Sequence, residues 1–321
     1  MTRSLALVAA LASASALARL ADAGAEGGAP VVKGAADSSA PAASARAAVL
    51  AADDGLAAGV ARDGWAAGLG AALADDAIVL HPGEDVVRGR AEAGGLLERV
   101  PERAARPSLH RLVGAASADG QMGYSAGWLE EADPAGATFG KYAAIWRRSG
   151  SAFRIQAIVR SAARGAPEGP PRSSPVVAGY AGAARPGERS ALRSQVLEAD
   201  RAFAARAGAL ASTRGFGPSF PEFADPQAML FRPDGVRWGV EAVAQVYAQS
   251  EAGEVLTWAP VDGGAAASGD LGWTVGTAIY QAPGPKGDRA YTKYLTIWAR
   301  QPDGSWRWLL DAGNLRPAPA R

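Results

Sequence analysis

Two aspartates on otherwise apolar helical stripes are the first candidates for chemistry. At 3.6 residues per turn, Asp200 shares its stripe with four apolar residues, Val196, Phe203, Ala204 and Ala207. Asp53 takes the same place among Val49, Leu56, Ala57 and Val60. A carboxylate on such a face is costly to desolvate unless it is paired or borders a wet cavity. Burial would raise its pKa and suit it to general acid–base catalysis, whereas the alternative is a buried hydrogen-bond anchor.

Asp311 is the second acidic candidate. It lies on the last predicted strand at the opposite parity from Trp306, Trp308 and Leu310, so we expect it on the other face of that strand. An Asp200–Asp311 pair, polarised by Arg232 or Asn314, is the best acid–base set that the sequence offers. In the alternative interpretation, Asp311 faces solvent or forms an ion pair with an arginine, as exposed carboxylates usually do.

The chain has only two histidines, His81 and His110. His81 follows a predicted strand, at the position that Arg232 holds in the second half of the chain, and it could act as a base with Asp53. A structural role in the turn is the alternative. No His-x-His or His-x-x-x-His spacing occurs, so we predict no metal site.

Six of the nine tryptophans lie in the second half of the chain. They favour either a packed sheet or an aromatic cavity for a flat apolar ligand. Under the cavity interpretation, five residues of the second half are candidate ligand contacts: Arg232, Trp273, Tyr294, Trp298 and Asn314. The corresponding candidates of the first half are Asp53, His81, Tyr142 and Trp146. The loop at 283–287 lacks the spacing of a phosphate-binding loop, and we expect no cofactor.

Composition narrows the classes of protein that remain. The chain has 321 residues, 48% hydrophobic and 20% charged, with a formal net charge of +1. These values are ordinary for a globular protein of more than one domain and give no electrostatic reason to expect a nucleic acid partner. Cysteine is absent, which excludes disulfides, thiol catalysis and thiolate metal sites. The structure must therefore hold by packing alone.

An internal repeat organises the chain. Lys141-Tyr-x-x-Ile-Trp146 matches Lys293-Tyr-x-x-Ile-Trp298. Two further matches upstream and one downstream occur in the same order in both halves, with offsets of about 150 residues. We therefore predict a first copy at 44–161 and a second copy at 190–316. The segment between them, 162–189, is rich in proline and glycine and is typical of a linker.

The N-terminus has the pattern of an export signal. Arg3 precedes a short apolar run and two Ala-x-Ala sites, which end at Ala18 and Ala23. We expect a signal peptide at 1–23, a disordered leader at 24–43 and a periplasmic or secreted location. The alternative is an alanine-rich leader without this role. The apolar run is too short to span a bilayer, so no membrane span is expected.

Each copy shows the same predicted order of elements. A long helix (44–61 and 190–211) is followed by a second helix or an irregular stretch. Next come a short strand that ends in a proline turn (77–80 and 228–232) and a third helix (90–99 and 240–250). Four strands with alternating aromatic and β-branched residues close each copy. Helices first and antiparallel strands last favour an α+β fold, with a sheet curved around its helices.

That order resembles the nuclear-transport-factor-2-like (NTF2-like) superfamily, which includes ketosteroid isomerase and the SnoaL-like polyketide cyclases. The motifs that carry the resemblance in the second copy are Glu198–Ala204, Pro233–Gly235 with Gly239 and Glu241, Tyr294–Trp298, and Pro302–Asp311. The likeness covers 190–314 well and 44–161 more weakly, because the first copy lacks the Asp-Gly-x-Trp hairpin. The resemblance implies two tandem cone-shaped α+β barrels, each with an apolar cavity at its wide end.

Function follows less directly, because this superfamily hosts isomerases, cyclases, dehydratases and binding modules. We rank first an exported protein that binds a small apolar or amphipathic molecule, without an assignable reaction. The alternative is an acid–base isomerase, dehydratase or cyclase that acts in the second copy through Asp200 and Asp311. A structural or assembly module is the third possibility. We further expect the two copies to pair within one chain through their sheets.

Overall fold

The computed structural model describes residues 40–99, 106–131, 137–169, 181–284 and 287–319. The predicted signal peptide and nearly all of the predicted leader lie outside these ranges, as does the middle of the linker. No helix in the described ranges is both long and apolar enough to cross a membrane.

The first copy contains three helices and six strands in the described residues. The helices are α1 (Ala40–Asp63), α2 (Trp65–Ala72) and α3 (Arg90–Arg99). The strands are β1 (Leu73–Leu80), β2 (Val87–Arg88), β3 (Ser108–Ala116), β4 (Met122–Glu131), β5 (Thr138–Ser149) and β6 (Ala152–Ala163). Gly64 separates α1 from α2 with a φ of 88°, a backbone conformation that favours glycine.

The second copy repeats this order. Its helices are α4 (Arg189–Arg214), α5 (Ser219–Phe223) and α6 (Val240–Tyr247). Its strands are β7 (Ala224–Arg232), β8 (Gly235–Trp238), β9 (Val255–Ala265), β10 (Leu271–Gln281), β11 (Arg289–Arg300) and β12 (Trp306–Leu315). The long helices and the strands after them lie where the sequence predicts, although β1 and β7 begin four residues earlier than expected.

The two sheets have the same strand order, β2-β1-β6-β5-β4-β3 and β8-β7-β12-β11-β10-β9. In each, the first long strand pairs in parallel with the last strand of the copy, and the other pairings are antiparallel. The α+β prediction is confirmed. The described strands form two open mixed sheets rather than closed barrels.

Each long helix packs on one face of its own sheet. Helix α4 buries Val196, Asp200, Phe203 and Ala207, which are members of the predicted stripe. Asp53 on α1 is 2% exposed and Asp200 is 1% exposed, so both carboxylates lie inside their copies. Burial of apolar area on this inner face stabilises each copy at about 25 cal/mol per Å².

A β-bulge corrects one expectation about β12. The register of β12 shifts between Trp308 and Leu310 in its pairing with β7. Trp308 packs in the inner core of the second copy, whereas Leu310 packs on the outer face of the sheet. Because the extra residue reverses the alternation, Asp311 lies on the same inner face as Trp308, although it remains opposite Leu310. The prediction that Asp311 lies on the opposite face of the strand from Trp306 and Trp308 was therefore wrong.

The outer faces of the two sheets meet in one apolar cluster. Residues of both copies contribute to it, including Ile145 and Val159 of the first and Ile297 and Leu310 of the second. Polar contacts at the edge are reciprocal. The backbone N–H of Ser268 donates to Asp119 (3.1 Å), and the backbone N–H of Ala118 donates to Asp270 (2.8 Å).

The described ends of the linker also contact the second copy. The indole N–H of Trp238 donates to the carbonyl of Glu168 (3.2 Å). Farther along, the backbone N–H of Ala183 donates to the carbonyl of Arg300 (2.7 Å) and that of Arg185 to Ser268 (2.8 Å). These linker residues therefore border the second sheet. The domain boundaries 44–161 and 190–316 stay a prediction.

Candidate functional site

A cavity of about 220 Å³ opens between the helices and the inner face of the second sheet. Eight aromatic residues line it: Phe203, Phe216, Phe220, Phe231, Tyr247, Trp258, Tyr280 and Tyr294. The polar or charged side chains in the wall are Asp200, Arg232, Thr292, Lys293, Thr296, Asp311 and Asn314. An apolar pocket with a few convergent polar groups is the usual form of a small-molecule site.

The carboxylate of Asp200 accepts hydrogen bonds from three side chains. The hydroxyl of Tyr294 donates to one carboxylate oxygen (3.0 Å), and the indole N–H of Trp258 donates to the other (2.7 Å). Thr274 supplies a further side-chain hydrogen bond. Burial raises the pKa of Asp200, and these three hydrogen bonds oppose the rise. So many donors favour a buried anchor over a mobile proton carrier.

Asp311 has a sparser environment. The hydroxyl of Thr296 donates to its Oδ1 (2.7 Å). Burial raises the pKa of Asp311 to about 6, the Thr296 hydrogen bond opposes this, and the nearby charge of Asp200 adds to it. Arg232 lowers the pKa by a smaller effect. Near neutral pH, this carboxyl group is therefore poised to gain or lose a proton inside an aromatic cavity.

Arg232 completes the charged end of the cavity. Its guanidinium hydrogen-bonds the hydroxyl oxygen of Tyr247 and interacts with Asp311. Burial raises the pKa of Tyr247, so its hydroxyl stays protonated at neutral pH. A ligand oxygen in the cavity would meet guanidinium N–H donors and a carboxyl group that ionises near pH 6.

The first copy repeats the anchor. Asp53 accepts hydrogen bonds from Ser125 (2.7 Å) and Tyr142 (3.1 Å), and its Oδ2 lies 3.3 Å from the guanidinium of Arg111. The indole N–H of Trp146 donates to Ser125 (2.8 Å). Burial raises the pKa of Asp53, and these partners oppose the rise.

The interior of the first copy otherwise differs. Ala144 of β5 pairs with Ile158 of β6, and at the equivalent place in the second copy Thr296 of β11 pairs with Asp311 of β12. Ile158 therefore takes the place of Asp311 in the first copy. Arg160 forms an ion pair with Glu131, and its guanidinium carbon lies 5.0 Å from the centroid of the Trp65 ring.

The structure brings five predicted residues of the second copy together at the cavity: Asp200, Arg232, Tyr294, Asp311 and Asn314. It does not place Trp273 or Trp298 there. Trp273 packs between the two sheets, and Trp298 is fully buried with its indole N–H on Thr274 (2.9 Å).

In the first copy, Asp53, Tyr142 and Trp146 belong to the anchor network. His81 lies in the turn after β1, with its Nδ1 3.1 Å from the carbonyl oxygen of Pro82, and is 7% exposed. Within the described ranges, no group of three or more His, Asp and Glu side chains is placed to hold a metal ion.

Sequence reasoning missed most of the other residues in the wall, among them Tyr247, Trp258 and Thr296. Thr296 follows Tyr294 by two positions, so strand alternation could have identified it as a neighbour on the same face. Tyr247 and Trp258 approach from the end of α6 and from β9. Their proximity depends on how these elements pack.

No protein-family model matches the sequence, and a search of curated proteins finds no relative. Solved structures do match, each over about a third of this chain. A ketosteroid isomerase-like protein from Erwinia carotovora atroseptica is 15% identical, with 36% of this chain and 95% of the other covered and a TM-score of 0.33.

An NTF2-like protein of unknown function from Pseudomonas putida is also 15% identical (37% and 87% covered, TM-score 0.31). A second such protein, from Shewanella oneidensis, is 8% identical (36% and 97% covered, TM-score 0.31). Identities this low bear on the fold alone and say nothing about chemistry. The solved structures to which the chain is similar are NTF2-like and ketosteroid isomerase-like proteins, and its two sheets of identical strand order fit a tandem arrangement.

Proposed function

We propose that the second copy binds a small, flat, mainly apolar molecule that carries one polar group. The observation that carries this proposal is the aromatic cavity with Asp311 and Arg232 in its wall. The aromatic rings would cover the faces of the ligand, while the guanidinium and the carboxyl group would fix its polar end. Asp200 would hold the wall in place through Tyr294 and Trp258.

The volume limits the size of the ligand. An apolar cavity of about 150 Å³ holds benzene, and drug-sized ligands occupy about 300–1,000 Å³. A cavity of about 220 Å³ therefore suits one substituted ring and does not fully enclose a steroid. Benzamide matches this description, because it combines one aromatic ring with a hydrogen-bond acceptor and a donor.

Titration with benzamide tests the proposal. We expect it to change the fluorescence of Trp258, which lies in the wall, and Trp258→Phe should remove that signal. Ala278→Leu, which fills the cavity, should abolish binding measured by calorimetry. Leu129→Met is the matched control, because Leu129 holds the equivalent position in the first copy. Binding that survives Ala278→Leu unchanged would refute the proposal.

Acid–base catalysis is the second candidate function, and Asp311 is the observation that favours it. Its pKa of about 6 and its place beside Asp200 in one cavity suit a proton-transfer step on a bound carbonyl compound. If the second copy is an acid–base enzyme, Asp311 is the catalytic residue and Asp200 holds the cavity wall in position. Exchange of α-hydrogens of acetophenone for deuterium tests the idea. The exchange should disappear in Asp311→Asn, and a wild-type protein without exchange would exclude this step for that substrate.

Pairing of the two copies within one chain is also a proposal about the protein in solution. The shared apolar cluster between the sheets supports it, because exposure of that face would leave a large apolar patch. We expect a monomer of 32.6 kDa, or less after removal of a signal peptide. Light scattering at micromolar concentration that gives twice this mass would contradict the proposal.

Export rests on the N-terminal sequence alone. We propose that the mature protein begins after Ala18 or Ala23. Mass spectrometry of the protein from its native host tests this. An intact chain that starts at Met1 in the cytoplasm would refute it.

A further inference from the structure

One wall of the cavity is hydrogen-bonded to the other copy. The side chain of Asn314, which lines the cavity, donates from Nδ2 to the carbonyl oxygens of Leu80 (2.8 Å) and Arg160 (2.5 Å). Both acceptors belong to the first copy. Because a primary amide has two N–H donors, Asn314 directs both of them across the contact between the copies.

Lys293 extends this connection. Its ammonium group donates to the carbonyl oxygen of Glu84 in the first copy (2.6 Å) and to Asn314 Oδ1 (2.5 Å). Leu315 also lines the cavity, and its carbonyl oxygen accepts hydrogen bonds from Lys293 (2.8 Å) and from the backbone N–H of Gly83 (3.0 Å). The turn after β1 therefore contacts two residues of the cavity wall, and the end of β1 contacts a third, Asn314.

The first copy has no asparagine that donates to the second copy in the same way. Ser161 pairs with Lys141 as Asn314 pairs with Lys293, so Ser161 holds the equivalent position. Its hydroxyl is buried and has no hydrogen-bond partner among the described residues. Lys141 donates to Ala162 in its own copy (2.7 Å). The amide connection thus runs from the first copy to the cavity of the second.

We propose that Asn314 and Lys293 are positioning residues through which the first copy holds the cavity wall of the second, so that ligand binding and contact between the copies strengthen each other. This rests on the proposed binding function. By linkage, a ligand that prefers the held wall must also tighten the contact between the copies. The first copy then supports a site that it does not itself contain.

Two measurements test the proposal in the full chain. Asn314→Ser installs the residue of the first copy and removes both donations, and Ser161→Ala is the matched control. Without ligand, hydrogen exchange at the Gly83 backbone amide should be about tenfold faster in Asn314→Ser than in the wild type. In Ser161→Ala the exchange rate should equal that of the wild type. The dissociation constant for benzamide should rise at least about fivefold in Asn314→Ser only. In the wild type, benzamide should slow exchange at Gly83.

The outcomes separate the two proposals. Wild-type protein that does not bind benzamide would refute the proposed ligand class, and the positioning role would then depend on the exchange of Gly83 alone. Equal exchange at Gly83 in Asn314→Ser and Ser161→Ala would overturn the positioning role. If Asn314→Ser does not fold, Lys293→Met removes the donation to Glu84 instead and should shift both measurements in the same direction.

Discussion

The two copies share an anchor but differ in what surrounds it. In each, an aspartate on the long helix accepts a hydrogen bond from the tyrosine of the Lys-Tyr-x-x-Ile-Trp strand: Asp53 from Tyr142 and Asp200 from Tyr294. In each, a tryptophan of the same strand bonds a hydroxyl residue on the neighbouring strand. These contacts tie the helix to the sheet, and their presence in both copies indicates a role in the fold.

The difference lies at the inner ends of β6 and β12. The second copy has Asp311 and the small residue Gly313 in the wall of its cavity. The first copy has Ile158 and Arg160 at these positions, and Arg160 forms an ion pair with Glu131. The contrast shows that one framework can hold an open polar site or a buried ion pair, depending on a few inward positions.

The largest effect is expected where the first copy departs from the second. Arg160→Ala should lower the free energy of unfolding by about 3–5 kcal/mol, because it leaves the buried carboxylate of Glu131 without its partner. Urea denaturation measures this. Arg206→Ala is the control, because its ion pair with Glu222 is exposed, and we expect no measurable change. A similar loss in both variants would contradict the assignment of a buried pair.

The next effect concerns Asp311 and pH. Its pKa is about 6 in the folded protein and 3.8 as the ordinary value, so between these values the folded state holds more protons than the unfolded state. Stability from this group therefore falls as pH rises from about 4 to about 6, by at most about 3 kcal/mol. Asp311→Asn should remove that part of the pH dependence. Urea denaturation at several pH values measures it, and an unchanged profile would refute the shifted pKa.

A smaller effect is expected at the shared anchor. Asp200→Asn should lower the free energy of unfolding by about 1–3 kcal/mol. The carboxylate accepts hydrogen bonds from Trp258 and Tyr294, and the amide NH₂ of asparagine would face one of these donors. Asp53→Asn should cost a similar amount in the first copy, with an added loss of its contact with Arg111. Thermal unfolding of both variants compares the two anchors. A large loss in one copy alone would break the equivalence that the repeat implies.

The smallest effect concerns the tryptophans behind the anchors. Trp298→Phe removes the hydrogen bond to Thr274, and Trp146→Phe removes that to Ser125. We expect each loss of a hydrogen bond to cost about 1 kcal/mol. The two values should agree, since both indoles are fully buried in equivalent places. Urea denaturation gives the comparison, and a clear difference between them would show that the two copies use this residue differently.

The repeat, the α+β fold and the two aspartates on apolar helical faces could be predicted from the residue pattern alone. Local periodicity carries this information: the stripe around Asp200 and the alternation in β10 follow from the geometry of a helix and a strand. The motif shared by Lys141–Trp146 and Lys293–Trp298 was enough to align the copies. The places of Asp311, Arg232 and Asn314 on or beside predicted strands made them candidates for one site.

The face of β12 that carries Asp311 and the shape of the cavity depend instead on packing between elements that are far apart in the sequence. The bulge after Trp308 adds one residue to the alternation, and nothing in the residue types announces it. Tyr247 and Trp258 reach the cavity from elements distant in sequence. The two donations of Asn314 to the first copy depend on how one sheet lies against the other. Such contacts arise between elements far apart along the chain, and a pattern of neighbouring residues does not encode them.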